Sequence, residues 1–195
     1  MFCCNCKIHV GIAAALEFQP ASIGWAYSGG AVPLAVQYLQ SHGFLTNFDF
    51  EFHVEYTECD IASTVRAGLK FMSTLDYDVI IGPPCAQALK VMGTLSNIFK
   101  KPVLGWGFVS ESELSDKSRF PYVASALPNS ETLGIAASEL LQLFSWNRVA
   151  LLFYANELNY CNSVIDDVES KLNDPNGYPV KIVMKGEIDS KDNGS

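Results

Sequence analysis

The sequence predicts an α/β protein built on a doubly wound parallel sheet, and three observations carry that prediction. Short, β-branched apolar runs alternate along the chain with longer stretches of helical periodicity. Gly, Pro and Asn punctuate the boundaries between them. Apolar residues make up 49% of the 195 and charged residues 17%, which is core material for one large domain or two small lobes. Alternation of this kind buries a parallel sheet between helices on both faces.

The elements follow in order. Lys7–Ala14 is a buried strand, and Gly29–His42 a helix with Pro33 in its first turn. Phe48–Tyr56 alternates strictly: Phe48, Phe50, Phe52, Val54 and Tyr56 share one face and Asp49, Glu51, His53 and Glu55 the other. Asp60 is placed to cap a helix that turns Ile61, Val65, Leu69 and Met72 inward. Tyr77–Ile81 is a short strand ending at Gly82-Pro83-Pro84, and the helix after it aligns Cys85, Ala88, Leu89, Met92, Leu95 and Phe99. Pro102–Trp106 is another strand. Val109–Ser118 is polar and irregular, and the break near Phe120–Asn129 reads as a crossover into a second unit. Asn129 or Ser130 caps a helix with Leu133, Ala137, Leu140, Leu141 and Phe144 inside. Arg148–Tyr154 is a strand. Cys161–Leu172 is a helix that buries Ile165, Val168 and Leu172 and exposes Asp166, Asp167 and Glu169. Asn173–Gly177 is a turn, Val180–Met184 the last strand, and 186–195 a polar tail.

Net charge is −8 and the pI about 4.8, so a phosphate backbone would be repelled and nucleic acid is excluded as a partner. No apolar stretch reaches the roughly 18 residues that span a bilayer. Residues 1–6 lack the basic and apolar regions of a secretory signal and read as an irregular terminus. Cys3, Cys4 and Cys6 crowd that terminus, but no second pair or spaced His completes a zinc site, so no metal is expected. The Gly24–Gly30 loop has neither the Lys of a phosphate loop nor G-x-G-x-x-G spacing. No G-x-S-x-G elbow occurs. No pattern ties His9, His42 or His53 to a nucleophile or a metal, and surface roles are expected for all three. No catalytic residue and no cofactor is assigned.

Several segments together resemble one family. They are Val10–Ala15, Ala21–Trp25, Gly29–Ala35, Glu55–Asp60, Ile81–Cys85, Lys101–Phe108, Trp146–Leu152 and Asn159–Cys161. In their order and spacing they resemble the ectodomains of receptor-type guanylate cyclases, above all the nematode chemosensory ones, within the natriuretic-peptide-receptor-like ligand-binding region. The resemblance runs from Lys7 to the tail. It implies the bilobed fold of type I periplasmic binding proteins, with 7–126 as lobe one and 127–185 as part of lobe two. It also implies a chain that stops midway through lobe two, before any transmembrane or cyclase region, and that is poorly stable alone.

By the same resemblance, Cys59 bonds Cys85, tying two neighbouring strand ends for about 3–4 kcal/mol. Two buried free thiols are the alternative in a reducing compartment. Cys161 matches a cysteine whose partner lies further on, so it is expected unpaired. Some family members bind chloride through backbone N–H groups before the second of these cysteines. Pro83 and Pro84 have no N–H to offer there.

Ligands of open α/β sheets gather at the carboxyl ends of strands. The candidate ligand residues are therefore Trp25, Tyr27, Ser28, Pro83, Trp106, Tyr154 and Asn156, with aromatic packing between helix and sheet an equal alternative for Trp25, Tyr27 and Trp106. Asn193 begins an N-x-S sequon. The function implied is reception of a small-molecule, ion or peptide ligand outside the plasma membrane, by a receptor that works as a homodimer and makes cyclic GMP inside. A soluble binding protein of the same fold and, further off, a cytosolic α/β enzyme are the alternatives.

Overall fold

The computed structural model describes residues 6–154 and 160–188. They fall into two compact units: residues up to Val109 together with Asp116–Leu127, and Ser110–Ser115 together with the residues from Pro128 onward. The chain thus passes between the units three times, at 109/110, 115/116 and 127/128.

Unit one holds five parallel strands in the order β2-β1-β3-β4-β5. These are β1 (Cys6–Ala14), β2 (Phe48–Tyr56), β3 (Val79–Ile81), β4 (Val103–Gly105) and β5 (Val123–Ser125). It is the doubly wound order in which the sequence of strands reverses beside β1. Every strand is paired in parallel with its neighbour, and β1 and β2 run in register along their whole length, from Cys6↔Phe48 to Ala14↔Tyr56. Val10, Ile12 and Ala14 form the buried centre, with Ile8, Phe50, Val54, Val79 and Ile81 packed against them. The break near Phe120–Asn129, expected as a crossover, contains the fifth strand of this sheet.

The helices of unit one are α1 (Pro20–Ile23), α2 (Trp25–Ser28), α3 (Ala31–Ser41), α4 (Ile61–Leu69) and α5 (Ala86–Phe99). The Gly24–Gly30 segment, expected as a loop, therefore holds a helical turn. Asp60 caps α4 as expected, its carboxylate accepting the Ser63 N–H at 2.7 Å. The buried face of α4 differs from the expectation. Thr64, Ala67 and Gly68 are buried, while Ile61 and Leu69 are exposed. The reason is close packing on α5: a Cβ on Gly68 would meet Leu95 Cδ1 at 2.6 Å and Met92 Sδ at 3.0 Å, so only small residues fit and the bulky ones turn outward. A π-helical turn, Lys70–Thr74, follows and buries Phe71 and Met72.

Unit two contains α6 (Ser130–Leu143), β6 (Arg148–Tyr154), α7 (Tyr160–Leu172) and β7 (Lys181–Ile188). β6 and β7 pair in parallel as a two-stranded sheet. Its core is Leu141, Val168 and Leu172, with Ala137, Val149, Leu151, Val180 and Ile182 against them. Leu133, Leu140 and Phe144 were expected inside but are more than half exposed. In α6 the contact with α7 is made instead at Gly134, where a Cβ would meet Lys171 Cβ at 2.8 Å. β7 runs on to Ile188, so Gly186–Ile188 belongs to the sheet and not to the polar tail.

Asp167, expected in solvent, is turned inward. Its carboxylate accepts the Ser112 N–H at 3.0 Å, the Ser112 hydroxyl at 2.5 Å and the Ser130 hydroxyl. Beside it Ser163 donates to the buried Glu111 at 2.9 Å, and Ser130 N–H donates to the Ser110 carbonyl at 2.7 Å. These bonds fasten the short 110–115 excursion to α6 and α7. Asp167→Ala strips the acceptor from three donors, and unsatisfied groups of this kind cost about 1–3 kcal/mol. The expected outcome is a lower urea midpoint for unit two, read by hydrogen exchange at β6 and β7, with β1 exchange unchanged. Equal loss in both units, or none, would contradict the assignment.

Candidate functional site

The C-terminal ends of the unit-one strands carry the loops in which the chain is most constrained. β1 continues through Ala15, which bridges to Gly24 in parallel, and Trp25 N–H donates to the Ala15 carbonyl at 2.7 Å. After β2, Thr57 is fully buried and its N–H donates to the Ala14 carbonyl at 2.9 Å. After β3, Gly82 has φ +86° and a Cβ there would stand 2.2 Å from the Ala13 carbonyl oxygen, so only glycine fits. The Gly82–Pro83 peptide is cis. After β4, Phe108 N–H donates to the Pro84 carbonyl at 2.8 Å, and Cys85 and Phe108 form a parallel bridge. A Cβ on Gly107 would meet both Pro84 and Ile23 Cγ2, so the loops after β1, β3 and β4 touch one another there.

Cys59 and Cys85 are joined by a disulfide, with a Cα–Cα distance of 5.7 Å. The strand ends it ties are not neighbours, as the sequence reading had supposed. β2 and β3 lie on either side of β1, so the bond spans the end of the central strand. Glu58 and Cys59 both adopt left-handed backbone, φ +49° and +60°. Cys6 is an exposed free cysteine and Cys161 a half-buried one.

The remaining candidate residues divide. Trp25 is half-buried and packs on the β1 core. Tyr27, two residues on, is 78% exposed. Ser28 Oγ donates to the Gly24 carbonyl at 3.1 Å, closing the same helical turn. Pro83 is fully buried, so its side chain has no surface to offer a ligand; its role is to pack the β3 loop. Trp106 is half-buried, with its indole Nε1 beside Gly82. Trp25, Tyr27, Ser28 and Trp106 thus all belong to unit one at the C-terminal edge of its sheet. Tyr154 closes β6 in unit two and is half exposed. Asn156 and Asn193 lie outside the described residues.

Two features escaped the sequence reading. One is the partnership of Glu58 with the loop after β1, described below. The other is a charged cluster on β2, where Glu55 Oε1 pairs with His53 Nε2 at 2.8 Å and with the Lys70 ammonium. Bonds from Lys70 first, then His53, hold the Glu55 carboxyl below its ordinary range. His53, expected in a surface role, is half-buried and paired with Glu55. His53 and Glu55 are two residues apart on one face of β2, but Lys70 and the loop after β1 lie 15 and 40 to 42 residues from their carboxylates and leave no local sequence signal. An open groove of about 510 Å³ lies between α3 and the first half of β2, lined by Pro33, Val36, Gln37, Phe50 and Phe52. It is remote from the loops at the C-terminal edge. Among the described residues no cluster of His, Cys, Asp and Glu could hold a metal ion, and no helix is long and apolar enough to cross a membrane.

Residues 27–195 of the sequence match a known family model, the receptor family ligand binding region. The chain belongs to that family. Within the ligand-binding region it is similar to receptor-type guanylate cyclases of nematodes. It is 66% identical to gcy-4 of Caenorhabditis elegans over 188 residues, 96% of this chain and 16% of that protein. It is 58% identical to gcy-5 of the same species over 94% of the chain and 55% identical to gcy-1 over 95%. The chain spans about 16% of the length of these relatives. The fold is the periplasmic-binding-protein-like one of this ligand-binding region, in keeping with the parallel sheets of both units.

The disulfide closes a loop of 26 residues, and bonds of that span contribute about 3–4 kcal/mol. The wild-type urea midpoint is expected to fall on adding reductant to match that of the Cys59→Ser/Cys85→Ser double variant, which itself ignores reductant. A wild-type midpoint that reductant leaves in place would contradict the contribution assigned to the bond.

Proposed function

We propose that this chain receives an extracellular ligand for a receptor-type guanylate cyclase, and that occupancy controls cyclic GMP synthesis by the receptor's catalytic region. The observation that carries this reading is the family match over residues 27–195 together with 66% identity to a receptor-type guanylate cyclase across nearly the whole chain. The role is signal reception: no residue of this chain is assigned to catalysis, and no cofactor or metal enters the reading. The receptor acts as a homodimer at the outer face of the plasma membrane. Its ligand, an ion, a small molecule or a peptide, shifts the dimer between two arrangements by binding one more tightly than the other.

Ligand contact is assigned to the C-terminal edge of the unit-one sheet, where open α/β sheets take their ligands. Trp25, Tyr27 and Trp106 give that edge aromatic surface, and Ser28 a hydroxyl. Tyr154, half exposed at the end of β6, is a separate candidate carried by unit two. The Cys59–Cys85 bond suits an oxidising, extracellular setting. Cys161 is assigned a partner elsewhere in the receptor, and Asn193 a glycan.

The test is a chimera. This chain replaces the matching segment of C. elegans gcy-4, and cyclic GMP is read in cells exposed to a panel of salts, amino acids and peptides. The expected result is ligand-dependent synthesis, with Trp106→Ala raising the half-maximal concentration about ten-fold or more at unchanged surface level. A chimera that reaches the surface and makes cyclic GMP at one fixed rate under the whole panel, while intact gcy-4 responds, would overturn the proposal.

A further inference from the structure

The loop that leaves β1 has three consecutive backbone N–H groups, at Leu16, Glu17 and Phe18, and all three converge on one side chain. Glu58 Oε1 accepts from Leu16 at 2.8 Å, and Glu58 Oε2 accepts from Glu17 at 3.1 Å and Phe18 at 2.9 Å. Successive amides curled round a point form a concavity that favours an anion. Both carboxylate oxygens are used, and hydrogen bonds to an ionised acceptor are about twice as strong as neutral ones. Among the described residues its partners are these three backbone dipoles, which face its charge directly.

The donors lie in the loop after β1 and the acceptor in the loop after β2, 40 to 42 residues apart. Glu58 is aimed by its surroundings. Its backbone is left-handed, at φ +49°, a conformation that costs a non-glycine residue free energy. Thr57 before it is pinned to the Ala14 carbonyl, and Cys59 after it is bonded to Cys85. The bound loop leads directly into α1 and α2. Gln19, the residue before α1, is itself left-handed at φ +46°, and the Ala15–Gly24 bridge closes the excursion. Within that closed excursion the Glu58 carboxylate is the fixed point around which residues 16–18 are wound.

From this geometry we infer that the loop after β1 is an anion receptor whose resident anion is the Glu58 carboxylate, and that Glu58 is the positioning residue for Trp25 and Tyr27. The clause on positioning rests on the ligand reading given above; the anion receptor does not. What the loop needs at this point is a small carboxylate, held by three N–H groups. A neutral group of the same shape holds it poorly.

Chemical rescue tests this directly. Amide hydrogen exchange at Leu16, Glu17 and Phe18 is followed in the full chain and in its Glu58→Ala and Glu58→Gln variants. Glu58→Ala is expected to speed exchange at these three positions about ten-fold or more, while Val10 and Ile12 in β1 keep their protection. Acetate, at constant ionic strength, should slow the three amides of the Glu58→Ala variant again, and acetamide should not. Glu58→Gln should fall between wild type and Glu58→Ala. If Glu58→Ala unfolds the whole unit, the Glu58→Gln result decides: acceleration confined to 16–18 supports the receptor, and wild-type exchange overturns it. Rescue by acetamide equal to that by acetate, or no change at 16–18 in either variant, also overturns it. In the guanylate cyclase chimera, Glu58→Gln should then raise the half-maximal ligand concentration. Unchanged potency beside confirmed acetate rescue would keep the anion receptor and remove its link to the ligand.

Discussion

The disulfide between Cys59 and Cys85 bridges over the end of β1, joining the loops of the two strands that flank it. That one constraint organises the edge where the chain is most crowded. With Cys59 fixed, Thr57 meets the Ala14 carbonyl, Glu58 is held in a left-handed conformation facing the β1 loop, and Asp60 is delivered to cap α4. With Cys85 fixed, α5 starts beside Phe108 and the two buried prolines are locked behind it. Four consecutive residues, Thr57 to Asp60, thus serve β1, the loop after it, β3 and α4. The cost is backbone in a sparsely populated region at two adjacent positions, and the crosslink is what over-determines them.

Packing in the rest of unit one follows from small residues at close approaches. Gly82 lets the β3 loop lie against the β1 backbone, and Gly68 lets α4 lie on α5. Such positions fix how near two elements come, and so decide which of their larger side chains face in. The outcome is a rigid sheet whose C-terminal edge presents the aromatic residues Trp25, Tyr27 and Trp106, in keeping with binding functions carried on loops that a scaffold holds in place.

Much of this was legible in the sequence. The β/α alternation gave the parallel sheet, the strict period of two over Phe48–Tyr56 gave β2 to the residue, and Asp60 announced its helix. What periodicity missed was burial in the helices. A period of 3.6 locates an apolar stripe, but α4 and α6 are seated through Gly68 and Gly134, which carry no hydropathy signal, so Ile61, Leu69, Leu133 and Leu140 are in the open. Acidic residues misled for a related reason. Asp167 looks like a solvated charge in the sequence and nothing there marks Glu58, because the donors that engage them lie far away along the chain. The candidate ligand residues came from strand ends, which the sequence places well, but which of them are reachable depended on packing. Pro83 is sealed in and Tyr27 is open.

The central claim is that ligand is received at the C-terminal edge of the unit-one sheet. Hydrogen–deuterium exchange over the whole chain, with and without a compound that activates the guanylate cyclase chimera, tests it most directly. The account predicts that protection gathers in residues 15–30, 82–85 and 106–108. Protection confined to the outer faces of α4 and α5, or to the groove between α3 and β2, would contradict it.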